Sequence, residues 1–431
     1  MSEVATAQPT ATRDAKARQG AVANAFGAAS GNFLEMYDFM VFGYYAGAIG
    51  RAFFPAGGGA TLSLLLAFAT FGAGFLMRPL GAIFLGSYVD RIGVRRGLMV
   101  TLSLMAVGTL VLALMPGYET IGLLAPILVL LARLLQGFSA GVELGTTSIY
   151  LNMIAPPGRR GFFVSFQSAS QQVAVMFAAS LGLVMTTLLT PAQMASWGWR
   201  IPLLIGCAIV PLLFVLRRTL GEDGSQARPH EPLSVLLRDL LAHWRVVLAG
   251  SLMVFMTTVS FYLITAYTPT YGVRELHLST RAALIVTFCV GASNLFWLPL
   301  AGALSDRIGR KPIMIAAASI AILTAYPALS WLVAAPSVGR LLAVLLWLSF
   351  LYASYNGAMI VFLTEYVPRP VRTAGFSVAY SLTTCVGGFT PAVCQLLIQG
   401  TGDGAIPAVW LMAAAALSLG AVLTVRKPLA D

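Results

Sequence analysis

The sequence predicts an all-α integral membrane protein, with twelve transmembrane helices arranged as two pseudo-symmetric six-helix bundles. Three observations carry this. Hydrophobic residues make up 58% of the chain and charged residues only 10%, against about 25% charged in a soluble domain, so most of the chain belongs in lipid. Twelve apolar runs of near-spanning length can be laid end to end between short polar breaks; a crossing takes roughly 20 residues. A charged Asp-Arg-Ile-Gly loop recurs from Asp90 to Asp306, an offset of 216 in a chain of 431.

The runs fall at 24–54, 61–88, 97–115, 121–152, 162–189 and 199–216, then at 246–270, 281–304, 312–332, 339–366, 373–399 and 405–425. They are continuous, which argues against the short alternating segments of a barrel. Helices satisfy every backbone group inside their own segment, as lipid demands. Residues 1–20 are polar, with Arg13, Lys16 and Arg18, and lack the apolar core of a cleaved signal peptide; they read as a cytoplasmic tail, as do residues 426–431. The first bundle then takes residues 21–218 and the second 246–425. The linker 219–245 is the longest polar break, with Gly221-Glu222-Asp223-Gly224, Pro229, Pro232 and an amphipathic stretch over Leu233–Leu241. A second echo supports duplication: prolines and arginines precede Gly161-Phe162 after the fourth run and Gly375-Phe376 after the tenth.

The net charge is +11, yet its distribution does not suit nucleic acid. With the N-terminus inside, 20 of the 27 Lys and Arg residues fall in inner loops and tails, the positive-inside pattern. A bacterial-type inner membrane protein with both termini cytoplasmic is the expectation, with lipid as its surroundings. Cys207, Cys289, Cys385 and Cys394 lie in apolar runs, and His230, His243 and His277 lie in loops. None has the spacing of a zinc or disulfide framework. No Gly-Lys pair occurs, so the phosphate-binding loop of an ATPase is absent. With no nucleophile or metal constellation, the reading is no enzyme and no cofactor. Duplicated bundles of this kind are the architecture of secondary transporters, which bind their solute at the mid-line between the repeats.

The loop from Gly86 to Arg96 matches the signature Gly-x-x-x-Asp-Arg-x-Gly-x-Arg-Arg, and Arg133-Leu134-Leu135-Gln136-Gly137 follows in the fourth run. On these residues the chain resembles the major facilitator superfamily. Gly31-Asn32-Phe33-Leu34-Glu35-Met36-Tyr37-Asp38-Phe39, Gly74 to Gly81, Gln136 to Gly145 and Trp197 to Pro202 make it similar to the metabolite:proton symporters. Ser165 to Gln172, Thr265 to Gly272 and Tyr355 to Met359 carry a likeness to citrate–proton symporters and tricarballylate carriers. The resemblance implies the superfamily's fold and a carrier, active as a monomer, importing a tricarboxylate with protons by alternating access. A dicarboxylate carrier, such as one for 2-oxoglutarate, and a non-transporting membrane sensor are the alternatives.

Five ionisable residues lie well inside runs: Glu35, Asp38, Arg78, Arg133 and Glu143. A charge at the bilayer centre costs about 2.5–3.5 kcal/mol or more, so each is a functional candidate. Arg78 stands twelve residues before Asp90, about 18 Å along a helix, near mid-membrane, and Pro79 loosens the helix beside it. Its fork can grip a carboxylate with two parallel bonds; Arg78 is either the anchor for an anionic substrate or half of an ion pair with the first run. Glu35 and Asp38 share a helix face and, kept from water, are suited to carrying a proton, with Arg133 as counter-charge. Asp38, assisted by Glu35, is read as the proton carrier; a permanent Asp38–Arg133 lock is the competing role. Glu143 either binds a second proton or braces a neighbouring helix.

Tyr37, Gln167, Gln171, Tyr262, Tyr267, Asn294, Tyr355 and Asn356 complete the expected substrate set with Arg78 and Arg133. This gives a cavity with charge on one wall and neutral donors on the other. The tyrosines fit packing equally well. Asp90, Arg91, Arg95, Asp306, Arg307 and Arg310 are expected to form gating latches, the aspartates at helix N-termini and the arginines paired across the halves.

Overall fold

A computed structural model describes residues 32–55, 57, 59–92, 94–141, 143–219, 233–368 and 372–425. The tails 1–20 and 426–431 and residues 220–232 of the polar linker therefore lie outside the described residues. So do the side chains of Asp90, Arg91, Arg95 and Glu143.

Helix occupies each of the twelve apolar runs, and no strand occurs among the described residues. Among the described residues, eight helices are individually long and apolar enough to cross a bilayer, and a ninth is so if a pair bent by 48° at Trp199 counts as one. The eight are the second, fifth and seventh to twelfth. The spans that fall short of that test thus lie in the first half. The first carries Glu35 and Asp38 and turns at Tyr45 before Ala46–Phe53. The third and fourth contain shorter apolar helices over Met99–Leu114 and Leu124–Ala140.

The second span is irregular where it matters. Helix Gly59–Leu76 breaks at Met77. Arg78–Leu80 follows, then a π-turn over Gly81–Leu85, then Gly86–Ile92. Pro79 supplies no N–H to the ladder, and π-turns inside helices are frequent at functional sites. The fourth span breaks beside it, ending one helix at Ala140 and starting another at Glu143. The two helices touch backbone to backbone: a Cβ on Gly137 would sit 1.6 Å from the Gly74 carbonyl oxygen. Small residues permitting such approach are the usual cement between helices in lipid. The contact sets Arg78 and Arg133 at neighbouring depths.

The fifth span, Arg160–Leu188, and the eighth, Thr280–Ile308, run alongside each other across the two halves. Gly161 and Gly302 meet at one end, where a Cβ on either would lie 2.3 Å from the other's carbonyl oxygen. Asn294 donates to Gln172 Oε1 at 3.1 Å midway. The second and eleventh spans make the matching seam, with Gly72 against Phe389 and Phe75 against Gly388. Facing outward, Leu114, Leu131, Phe296, Leu323, Leu417 and Leu423 are exposed, as lipid-facing positions should be.

Candidate functional site

A narrow cavity lies between the halves at the break in the second span. The first half contributes Met36, Arg78 and Gln171; the second contributes Thr258, Phe261, Tyr262, Tyr352, Tyr380 and Thr384. One wall carries the guanidinium and the other a row of hydroxyls. In this conformation the space admits about one water, so anything larger enters only when the halves part.

The wall is charged because the first and second spans meet at Glu35 and Arg78. These form a buried ion pair, with the Arg78 Nη2 donating to Glu35 Oε1. The Arg78 guanidinium also lies 4.6 Å from the Phe75 ring centroid and 5.2 Å from that of Phe39, within cation–π range.

Asp38 is on the same helix, but its carboxylate serves a second, separate cluster. Arg133 donates to Asp38 Oδ2 at 3.0 Å and Thr109 donates to Oδ1 at 2.8 Å. Gln136 closes the ring, accepting from Arg133 at 2.6 Å and donating to Thr109 at 3.0 Å. The Arg133 guanidinium is stacked 4.3 Å from Phe42 and 4.5 Å from Phe39. Phe39 therefore lies beside both guanidiniums, and it partitions the two ion pairs. The arrangement holds one pair at the cavity and the other sealed inside the first bundle.

Of the ten residues expected to bind substrate, Arg78, Gln171 and Tyr262 line the cavity. The other seven are seated elsewhere. Arg133 is fully buried with Asp38. Tyr37 donates to Pro202 O at 2.7 Å, pinning the first span to the sixth. Gln167 accepts from Ser168 at 2.9 Å. Asn294 spans the seam between the fifth and eighth helices and accepts from Ser349 at 2.6 Å. Tyr267 donates to Gln395 at 3.1 Å, near the far end of the second half. Tyr355 donates to Met253 O at 2.8 Å. Asn356 lies behind the wall, donating to the Tyr352 hydroxyl at 3.2 Å.

Sequence reasoning missed Tyr380 and Thr384 on the eleventh span. Their spacing of four puts them on one face, a signal that was present but not distinctive. It also missed Asn32, which donates to Gln167 O and Ser170 and accepts from Gln171 Nε2 at 3.1 Å. That bond holds the Gln171 amide against the first span.

The interface is closed at both ends. Toward one, Phe68 packs against Tyr267, and Phe71 and Phe75 pack against Tyr262. Toward the other, the Asp306 carboxylate accepts from Gly161 N at 2.8 Å and Phe162 N at 3.0 Å. An acid at the first turn of a 29-residue helix meets its free N–H groups and the positive end of its dipole. Asn152 donates to Thr364 at 2.9 Å nearby. The expectation that Arg310 pairs across the halves is corrected. It bonds Asp306 at 2.7 Å and Glu365 at 3.2 Å, both in its own half, because it sits one turn beyond Asp306 and faces the tenth span. The cross-half link is made by Asp306 to backbone, and Arg310 holds that carboxylate in place. Arg307 is exposed.

Asp306→Asn removes the charge from this contact. A helix-terminus charge is worth about 0.3–2 kcal/mol, so the variant is expected to spend several-fold more time open at this end. A cysteine introduced by Ser165→Cys, buried here, should then react faster with an impermeant maleimide; an unchanged rate would show that this contact does not hold the end shut.

No group of three or more His, Cys, Asp and Glu suited to a metal occurs among the described residues. The chain is 56% identical to a citrate-proton symporter of Klebsiella pneumoniae, over 90% of this chain and 88% of that protein. It is 55% identical to one of Salmonella typhi, over 91% of each. An alpha-ketoglutarate permease of Escherichia coli is 33% identical over 87% of each chain. Among solved structures, a D-xylose-proton symporter superposes with a TM-score of 0.75 at 18% identity, covering 94% of this chain and 98% of that one, which bears on the fold alone. A sequence profile of the Major Facilitator Superfamily matches residues 28–392. On fold, duplication and sequence together, the chain belongs to the Major Facilitator Superfamily.

Proposed function

We propose that this protein imports citrate, or a closely similar tricarboxylate, together with protons, by alternating access across the inner membrane of a bacterial cell, with both termini in the cytoplasm. The observation that carries the reading is the placement of a single guanidinium, Arg78, in a mid-interface cavity faced by neutral hydroxyls. The extent of identity to the two citrate-proton symporters supports the choice of acid. The permease named for alpha-ketoglutarate is much less similar.

Each negative charge moved inward against 100 mV costs about 2.3 kcal/mol, so three cost about 7 kcal/mol. A trivalent acid therefore needs protons beside it or on it. Arg78 grips one carboxylate, and the hydroxyls of Tyr262, Tyr352, Tyr380 and Thr384 suit the remaining carboxyl and hydroxyl groups. Asp38, released from or returned to Arg133 as the bundle flexes, binds and gives up a coupling proton, and Glu35 links that event to Arg78. Asp90, Arg91 and Arg95 repeat in sequence the charged loop that carries Asp306, which supports a gating role for them as well. Glu143, at the break in the fourth span, is a second candidate proton site.

The test is uptake of labelled citrate, tricarballylate and 2-oxoglutarate into proteoliposomes, acidic outside. Citrate or tricarballylate should accumulate and 2-oxoglutarate should compete poorly. Absence of uptake of any acid would remove the proposal, and preference for 2-oxoglutarate would redirect it.

A further inference from the structure

The transport cycle described above makes no use of helix Leu233–Ala242 in the linker. Its ridge at Leu240 packs on Val247 of the seventh span and on Val378 and Ala379 of the eleventh. Next to that ridge lies an uncovered apolar strip. Leu237 is 37% exposed, Leu241 71% and Trp244 54%, and the strip continues onto the seventh span at Leu248, 48% exposed. Arg238 and Arg245 are also exposed, and the Arg245 guanidinium lies 5.7 Å from the Trp244 ring. At about 100° per residue, Leu237 and Leu241 stand between the buried ridge and Arg238. Around the helix the order is buried ridge, bare apolar strip, basic edge.

The strip runs without interruption into the lipid-facing side of a spanning helix, and a basic edge borders it. That combination is the chemistry of a helix lying in a bilayer interface, with tryptophan at headgroup level and arginine on anionic phosphates. We propose that Leu233–Ala242 is an interfacial anchor. Leu237, Leu241 and Trp244 enter the acyl boundary, and Arg238 and Arg245 engage anionic phospholipid of the cytoplasmic leaflet. The helix rests on Ala379, whose neighbour Tyr380 lines the cavity, so the lipid supports the back of a cavity-lining helix. Only the naming of the leaflet rests on the orientation proposed above.

The experiment uses the full chain in phosphatidylcholine nanodiscs, with phosphatidylglycerol brominated along its acyl chains as the titrated probe. The chain has seven tryptophans, so the Trp244 signal is taken as the difference between the wild type and Trp244→Phe. It should be quenched by the brominated lipid and spared by aqueous iodide. Each arginine near an anionic surface contributes about fivefold in affinity, so Arg238→Gln with Arg245→Gln should raise the half-quenching lipid fraction by roughly twenty-five-fold if the two act independently. Brominated phosphatidylcholine should quench wild type and double variant alike. Quenching by iodide would put the strip in water and overturn the proposal. Protection from both quenchers would mean that protein covers it, either a second chain or residues 220–232, and would overturn it equally. Equal response of wild type and double variant to the anionic lipid would remove the arginines' role. None of these readouts needs transport, so failure of citrate uptake would count against the proposed function and leave this inference standing.

Discussion

Arg78→Ala should abolish measurable citrate binding and, because it breaks the buried pair with Glu35, should also lower stability by about 3–5 kcal/mol. Arg78 is the cation that lines the cavity, and it is almost fully buried. A hydrogen bond to a charged group is worth about 1.5–3 kcal/mol, so losing a bidentate grip removes on the order of a hundredfold or more in affinity. The substitution also leaves the Glu35 carboxylate facing the incoming anion without this cation, which deepens the loss. Arg78→Lys keeps the charge but not the planar fork, and should retain weakened binding. Calorimetry with citrate on the purified protein checks both variants. Wild-type affinity in Arg78→Ala would show that Arg78 is only the structural partner of Glu35 and that the anchor lies elsewhere.

Asp38→Asn should separate exchange from accumulation. Asparagine keeps the size of the side chain, and its single oxygen can still accept from Arg133 while its amide donates to the Thr109 hydroxyl, so the packing around Phe39 and Phe42 is preserved. What disappears is a group that can take up and lose a proton. One pH unit is worth about 1.4 kcal/mol per coupled proton, about a tenfold concentration ratio. The variant should lose that factor for each pH unit imposed, while citrate counterflow continues. Arg133→Ala is the poorer probe, because removing one member of a buried pair costs about 3–5 kcal/mol in stability. Undiminished accumulation by Asp38→Asn would make the Asp38–Arg133 cluster a fixed lock.

The fold was legible because its signals are local and repeated. Apolar run length marks each span, and the charged loops at Asp90 and Asp306 mark the duplication. The individual charges were legible too, since a polar group in lipid is conspicuous. Their pairing was not. Glu35 and Asp38 stand three apart on one face, and nothing local says that Glu35 meets Arg78 while Asp38 meets Arg133. That choice depends on the depths at which Arg78 and Arg133 stand, which the Gly74–Gly137 approach sets by bringing the second and fourth helices together. The hydroxyl wall was only partly readable for the same reason. Tyr262 lines the cavity, whereas Tyr267, five residues on and past the end of the helix at Ile264, turns into the second bundle. Gln136 and Thr109, which complete the Asp38 cluster, look like ordinary polar residues until the third and fourth spans are side by side.

The central claim is that carboxylates buried in one half of a duplicated carrier tie the movement of a tricarboxylate to that of protons. Its most direct test is a paired flux measurement in proteoliposomes that start with equal pH on both sides. Labelled citrate is added outside, and a trapped pH dye reports the lumen. The account predicts that inward citrate flow acidifies the interior, that a protonophore collapses the acidification, and that Asp38→Asn lets citrate exchange without it. Inward citrate flow that leaves the interior pH unmoved in the wild-type protein would contradict the account.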